Sequence, residues 1–292
     1  MKDKIRKTDL KYSELPNTRW KVFKDLIKYR KRDMVSLSLL FFVFCLPLAV
    51  DIIIFNQFII IAGNSSQEAV IRANSIFSLI FYMMIVAIPC IVVFFIGLGG
   101  LFYVLKKITW QEGVLTGPDF FIGIKKNIKN NIFIGLIYSV SCFLFVVGIF
   151  FLLRTMNNEL GYLSGMGIGL CVVQFIILSI VCIYAVALNN AYQYKFIHLL
   201  KNGFIFFAAK FFKNLLIFIL TTGLFVGIMF VDIIAQYVSI FCFSILSSYL
   251  MVGWVLLSNE AFDQYINKTN FPELVNKGLY IEKKEENQNG KS

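Results

Sequence analysis

Asp51, Gln174, Asp232 and Gln236, together with Arg154, lie within or at the edge of long apolar runs. A carboxylate in hydrocarbon can carry a proton or hold a cation. An arginine can neutralise it, and amides can line a polar path. Burying any of these groups is costly, so each is a functional candidate by default. Their placement argues for a milder role. Asp51 lies at the end of the first run, Arg154 closes the third, and Asp232 separates the fifth from the sixth. All three charges therefore fall where water is within reach, and a structural pair of Arg154 with Asp232 or Asp51 fits better than a proton relay. No run carries a charge near its middle, where ion-coupled carriers place their coupling carboxylates.

Other chemistry finds less support. His198 is the only histidine, flanked by Lys195 and Lys201, and one imidazole makes no His-based zinc or haem pair. All six cysteines (Cys45, Cys90, Cys142, Cys171, Cys182 and Cys242) sit inside apolar runs with no CxxC spacing. They read as small hydrophobes rather than a disulfide framework or zinc site. There is no HExxH and no GxSxG elbow, and Gly290-Lys291-Ser292 lacks the leading glycine, strand and helix of a phosphate-binding loop. Glu260-Ala261-Phe262 follows the final run and has Ile266 where an importer's coupling loop carries glycine. The expectation is a non-enzymatic chain with no catalytic residues, cofactor or metal.

The elements that position these residues are six apolar runs, at 34–54, 76–105, 132–153, 166–188, 215–231 and 233–257. Most are near the ~20 residues a helix needs to cross ~30 Å of hydrocarbon, and the second is longer. Of the 28 Lys and Arg residues, 26 fall before the first run, between the second and third, between the fourth and fifth, and after the sixth. Only Arg72 and Arg154 occupy the other gaps. The positive-inside rule then predicts an all-α, six-span protein of the plasma membrane with both termini in the cytoplasm. It divides into a basic tail with an interfacial helix (1–33), a transmembrane domain (34–258) and a cytoplasmic tail (259–292).

Composition agrees: 58% of residues are hydrophobic, 15% are charged, and mean hydropathy is +0.75. Soluble domains carry roughly 25% charge. The net charge of +11 belongs to the rim of a bilayer protein, so the partner is the lipid bilayer and nucleic acid is not expected. The outward gaps are short and leave no room for an external domain.

The inward gaps share a pattern. Phe23 stands nine residues before Arg32-Asp33, Phe120 nine before Lys129-Asn130, and Phe204 nine before Lys213-Asn214. Each segment reads as an amphipathic helix. In the first, Trp20, Phe23 and Ile27 share one face, and Lys21, Lys24, Lys28 and Lys31 take the other. Such helices lie in the membrane interface. Three repeats are inferred, each an interfacial helix plus a transmembrane hairpin, offset by 97 and 84 residues. Gly161, Gly165 and Gly169, and again Gly223 and Gly227, have the GxxxG spacing of close helix packing. Phe262, Tyr265 and Ile266 form an apolar stripe suited to packing beneath the bundle.

The stretch Gly99-Gly100-Leu101-Phe102-Tyr103-Val104-Leu105-Lys106-Lys107, with Glu112-Gly113-Val114 and Asp119-Phe120-Phe121-Ile122-Gly123-Ile124-Lys125-Lys126-Asn127, resembles the YesL-like family of bacterial membrane proteins. The family's usual Gly-Pro at the end of span two is Gly99-Gly100 here. The resemblance covers about 40 residues in and around 99–127, and the six-span layout is compatible with it over the whole chain. It implies an integral membrane protein of Gram-positive-type bacteria, often encoded beside carbohydrate-uptake systems, with no established activity. Phe120, Lys125, Lys126 and Lys129 are the expected surface for a cytoplasmic partner, such as a component of a carbohydrate importer. The alternative reading is a small-solute transporter or channel.

Overall fold

Apolar runs of this length satisfy their backbone polar groups internally only as helices, and helices are what form. The computed structural model describes residues 15–66, 68–155, 161–192, 194–223 and 233–280, and every regular element among them is helical. Asp232 and Gly227 lie outside the described residues.

Helix α1 (Arg19–Tyr29) is opened by Thr18, whose hydroxyl accepts from the Lys21 N–H, and ends at Arg30. Helix α2 (Lys31–Gly63) follows directly, then α3 (Ala69–Thr109), α4 (Thr116–Thr155) and α5 (Gly161–Ala191). Helix α6 (Phe196–Ala209) meets α7 (Phe211–Phe218) at a 97° bend, and a π turn, Ile219–Gly223, extends α7. Helix α8 (Ile233–Phe262) runs on through a second π turn, Asp263–Asn267.

Helices α2, α3, α4, α5 and α8 are long and apolar enough to cross a membrane, and the bent α6–α7 pair makes a sixth candidate. Helices α3 and α4, at 41 and 40 residues, are about 60 Å long, twice the hydrocarbon thickness. Pro47 and Pro89 are accommodated inside α2 and α3 without breaking them.

Helices α3, α5 and α8 pack against one another. Helix α2 lies between α3 and α8, and α4 between α3 and α5. Helix α6 packs on α5, and α7 is tied to α8 by Trp254 Nε1 donating to Thr221 Oγ1 at 3.0 Å. Among the described residues, three inner elements (α3, α5, α8) and three outer ones (α2, α4 and the α6–α7 pair) thus alternate. The core is concentrated in the half that carries the basic residues: on α5, all but one residue from 179 to 190 is buried.

This arrangement has the three-unit layout of the expected repeats, with differences. The helix ahead of the hairpin is separated by a kink at Arg30 and at Lys210, but in the second unit it is continuous with the span. Buried positions match best as Met34, Asn131 and Asn214, so the register of the third unit is 83 residues on from the second rather than 84. Helix α1 turns Val22 and Leu26 to the bundle, while Trp20 and Ile27 stay exposed.

The GxxxG reading is corrected. A Cβ on Gly165 or Gly169 would meet nothing within 4 Å, so these glycines make no close helix contact. Close approach is instead between α3 and α4. A Cβ on Gly100 would lie 2.9 Å from the Phe120 carbonyl oxygen, and one on Gly123 would lie 2.4 Å from Tyr103 Cβ. Near their basic ends, these two helices touch almost backbone to backbone.

Residues 259–280 are folded into the bundle rather than hanging from it. Phe262 and Ile266 are buried while Tyr265 is exposed, and Tyr192 donates to Asn267 Oδ1. Arg19 pairs with Asp263 at 2.6 Å, and Lys277 with Glu112 at 2.7 Å. Among the described residues, 15–30 and 259–280 are thus joined to the basic end of the bundle.

Candidate functional site

The α4 sequence Lys125-Lys126-Asn127-Ile128-Lys129-Asn130-Asn131 looks uniformly polar, but 3.6-residue periodicity splits it. Asn127 and Asn131 turn inward to Asn189 and Asn190 of α5. Asn127 Nδ2 donates to Asn190 Oδ1 at 2.7 Å, and Asn130 Nδ2 to Asn189 Oδ1 at 2.8 Å. Asn189 Nδ2 donates to Asn131 Oδ1 at 3.0 Å, and Lys106 Nζ donates to the Asn190 carbonyl at 2.9 Å. The third unit has its own version, in which Tyr184 donates to Asn214 Oδ1 at 2.8 Å and Asn214 Nδ2 donates to the Phe206 and Phe207 carbonyls. Asn131 Nδ2 is buried without a partner, but the other amide bonds tie α4 to α5 and fix its register, so α4 is held with one face committed to the bundle.

The other face of that stretch is free of the bundle. Lys125, Lys126 and Lys129 are exposed, beside exposed Ile122 and Phe121. Positions 122, 125, 126 and 129 follow helical spacing and form one cationic stripe with an apolar edge. Phe120 is the correction: it is 0% exposed, packed against Phe44 at 5.7 Å between ring centres and seated under Gly100. It cannot meet a partner, because the glycine on α3 lets that ring into the helix interface. The adjacent ring, Phe121, at 50% exposed, takes the outward position. Asp119 anchors the helix start, accepting from Lys107 Nζ at 2.9 Å and the Leu115 N–H at 2.8 Å.

Among the described residues, the other predicted polar side chains, Arg154, Gln174, Gln236 and Asp51, occupy separate places. Arg154 is exposed at the end of α4. Gln174 lines a small cavity of about 60 Å³ between α4 and α5, and Gln236 of α8 accepts from Asn56 Nδ2 of α2. Asp51 is 5% exposed, with neither carboxylate oxygen hydrogen-bonded. An Arg154–Asp51 pair is therefore not formed. At the basic end, where α3, α5 and α8 meet around Phe102, Lys106, Asn190 and Ser258, the space left is about 10 Å³. That is at or below the room one water needs, so the helices are packed shut at that level.

No family model, curated protein or solved structure matches this chain.

Proposed function

We propose that this chain is a non-enzymatic accessory protein of the plasma membrane, with the basic end in the cytoplasm, that docks to a partner through the exposed stripe of α4. The observation that carries this reading is the two-sided use of one helix. Asn127 and Asn131 lock one face of α4 into the bundle, and this displays Lys125, Lys126 and Lys129 on the other. Three lysines on a rigid element suit an acidic partner surface and steer its approach. The YesL-like resemblance suggests that the partner is a component of a carbohydrate importer. Affinity-tagged protein from native membranes should retain a transporter component. The triple variant Lys125→Glu, Lys126→Glu, Lys129→Glu should lose it while remaining folded. Retention of no transporter component by the wild type, or equal retention by the variant, rejects the reading.

One observation favours a second reading, transport of a small solute. A buried carboxyl without a hydrogen-bond partner is expensive in a helix bundle and is commonly kept for function, and Asp51 is such a group. Flux into proteoliposomes that vanishes on Asp51→Asn would promote this reading above the first. Equal flux would remove it.

A further inference from the structure

Helices α1, α7 and α8 enclose a groove of about 400 Å³ whose walls and floor are mostly apolar, including Phe23, Leu216, Leu220 and Gly253. A Cβ on Gly253 would meet nothing within 4 Å, so the floor is open rather than filled by a neighbour. Thr221 lines this groove and also a second, of about 210 Å³, between α2, α7 and α8, whose walls include Phe42, Leu48 and Ile240. The two grooves follow α8 from Glu260 to Ile240, a rise of about 30 Å. They share only Thr221 among their lining residues, and together they make an apolar seam along α7 and α8.

Among the described lining residues, charge is confined to the end of the seam at the basic end of the bundle. Lys210 and Lys213 both donate to the same oxygen of Glu260, at 2.7 and 2.8 Å, so one carboxylate serves two ammonium groups. Arg19 is matched by Asp263, and Lys24 lies over the Trp20 ring at 5.5 Å. Arg19, Lys213 and Glu260 line the mouth itself; counting Lys210, Asp263 and Lys24, which touch these lining residues or Trp20, the balance is four cations against two anions, and Lys213 is largely exposed. A cationic, aromatic-edged mouth leading into a long apolar seam is complementary to one molecular class: an anion carrying long hydrocarbon chains.

We propose that this seam binds one anionic phospholipid. The phosphate sits at Lys213 and Lys24 beside Trp20, and an acyl chain descends over Gly253 between Leu220 and Phe23. The arrangement discriminates by headgroup charge at the mouth and retains by chain burial below it. It is independent of the partner-docking reading, because the α4 stripe contributes no residue to the seam.

Native mass spectrometry of the delipidated full-length protein tests this, with phosphatidylglycerol and phosphatidylcholine of identical chains as probes. The first lipid should bind at several-fold lower concentration when it is phosphatidylglycerol. Lys24→Gln with Lys213→Gln should abolish that preference while leaving phosphatidylcholine binding unchanged. Gly253→Leu, which enters open space and should not disturb folding, should weaken retention of both lipids several-fold. Equal binding of the two lipids by the wild type overturns the proposal. So does a preference that survives the double lysine variant, or Gly253→Leu protein that holds both lipids as the wild type does.

Discussion

An alanine Cβ at position 99 would lie 1.8 Å from Nδ2 of Asn131. Gly99 on α3 and Asn131 on α4 therefore occupy space that only a glycine leaves available. Asn131 accepts from Asn189, so the steric contact and the amide network depend on each other. Gly99→Ala should destabilise the protein by about 1–3 kcal/mol, the usual cost of overpacking, read as a fall in thermal unfolding temperature in detergent. Adding Asn131→Ala removes the obstructing amide, so the double variant should lose less than the sum of the two single losses. Strict additivity would mean that another contact explains the glycine.

The adjacent rings Phe120 and Phe121 make a paired test of burial. Phe120 is fully enclosed and Phe121 is half exposed. Phe120→Ala should cost about 3–5 kcal/mol, while Phe121→Ala should stay within about 0.5 kcal/mol, as surface changes do. A partner-binding assay should reverse that order: Phe121→Ala should weaken capture although the protein is as stable as the wild type.

These residues show how far the sequence could be read. Span positions were legible because hydropathy and Lys/Arg placement report solvent, and lipid tolerates little else. The exposed lysines of α4 followed from helical periodicity in the same way, as did two of the three residues of the expected stripe, Phe262 and Ile266, while Tyr265 is exposed. Long-range pairing was not legible. Nothing local to Asn127 or Asn131 signals that Asn189 and Asn190 will meet them, and a Lys-Asn run looks like a solvated surface. The choice between Phe120 and Phe121 depends on which of two rings, 100° apart on the helix, faces Gly100. The spacing of Gly161, Gly165 and Gly169 satisfied a packing motif, yet helix rotation turns Gly165 and Gly169 to open space. The one-residue shift of the third repeat runs through the whole unit, since Gly203, Phe206 and Phe207 ahead of the kink already match Phe120, Gly123 and Ile124 at an offset of 83 residues, and there repeated letters in the sequence and buried positions in space part company.

Asp51 separates stability from function. Its carboxylate oxygens are buried with no hydrogen-bond partner, and such groups cost about 1–3 kcal/mol. Asp51→Leu keeps the branched four-atom skeleton, in a bulkier form, and removes the polar group, so the variant should unfold at a higher temperature in detergent than the wild type. A lower unfolding temperature would mean that the carboxylate is satisfied in the membrane by water or an ion.

Orientation is the remaining test, and it follows from electrostatics rather than packing. Lys125 is exposed on α4 among the basic residues, while Tyr162 is exposed near the start of α5, beyond the opposite end of the α4 span. Among short loops, lysine and arginine are retained on the cytoplasmic side during insertion, so the two positions should report opposite compartments. Tyr162→Cys should react with a membrane-impermeant maleimide in intact cells, and Lys125→Cys only after permeabilisation. The native cysteines are a tolerable background, because Cys45, Cys142 and Cys182 are buried and the others are half-buried within helices. The unsubstituted protein measures that background directly. Labelling of Lys125→Cys in intact cells would place the α4 stripe outside, and a cytoplasmic partner for it would be impossible.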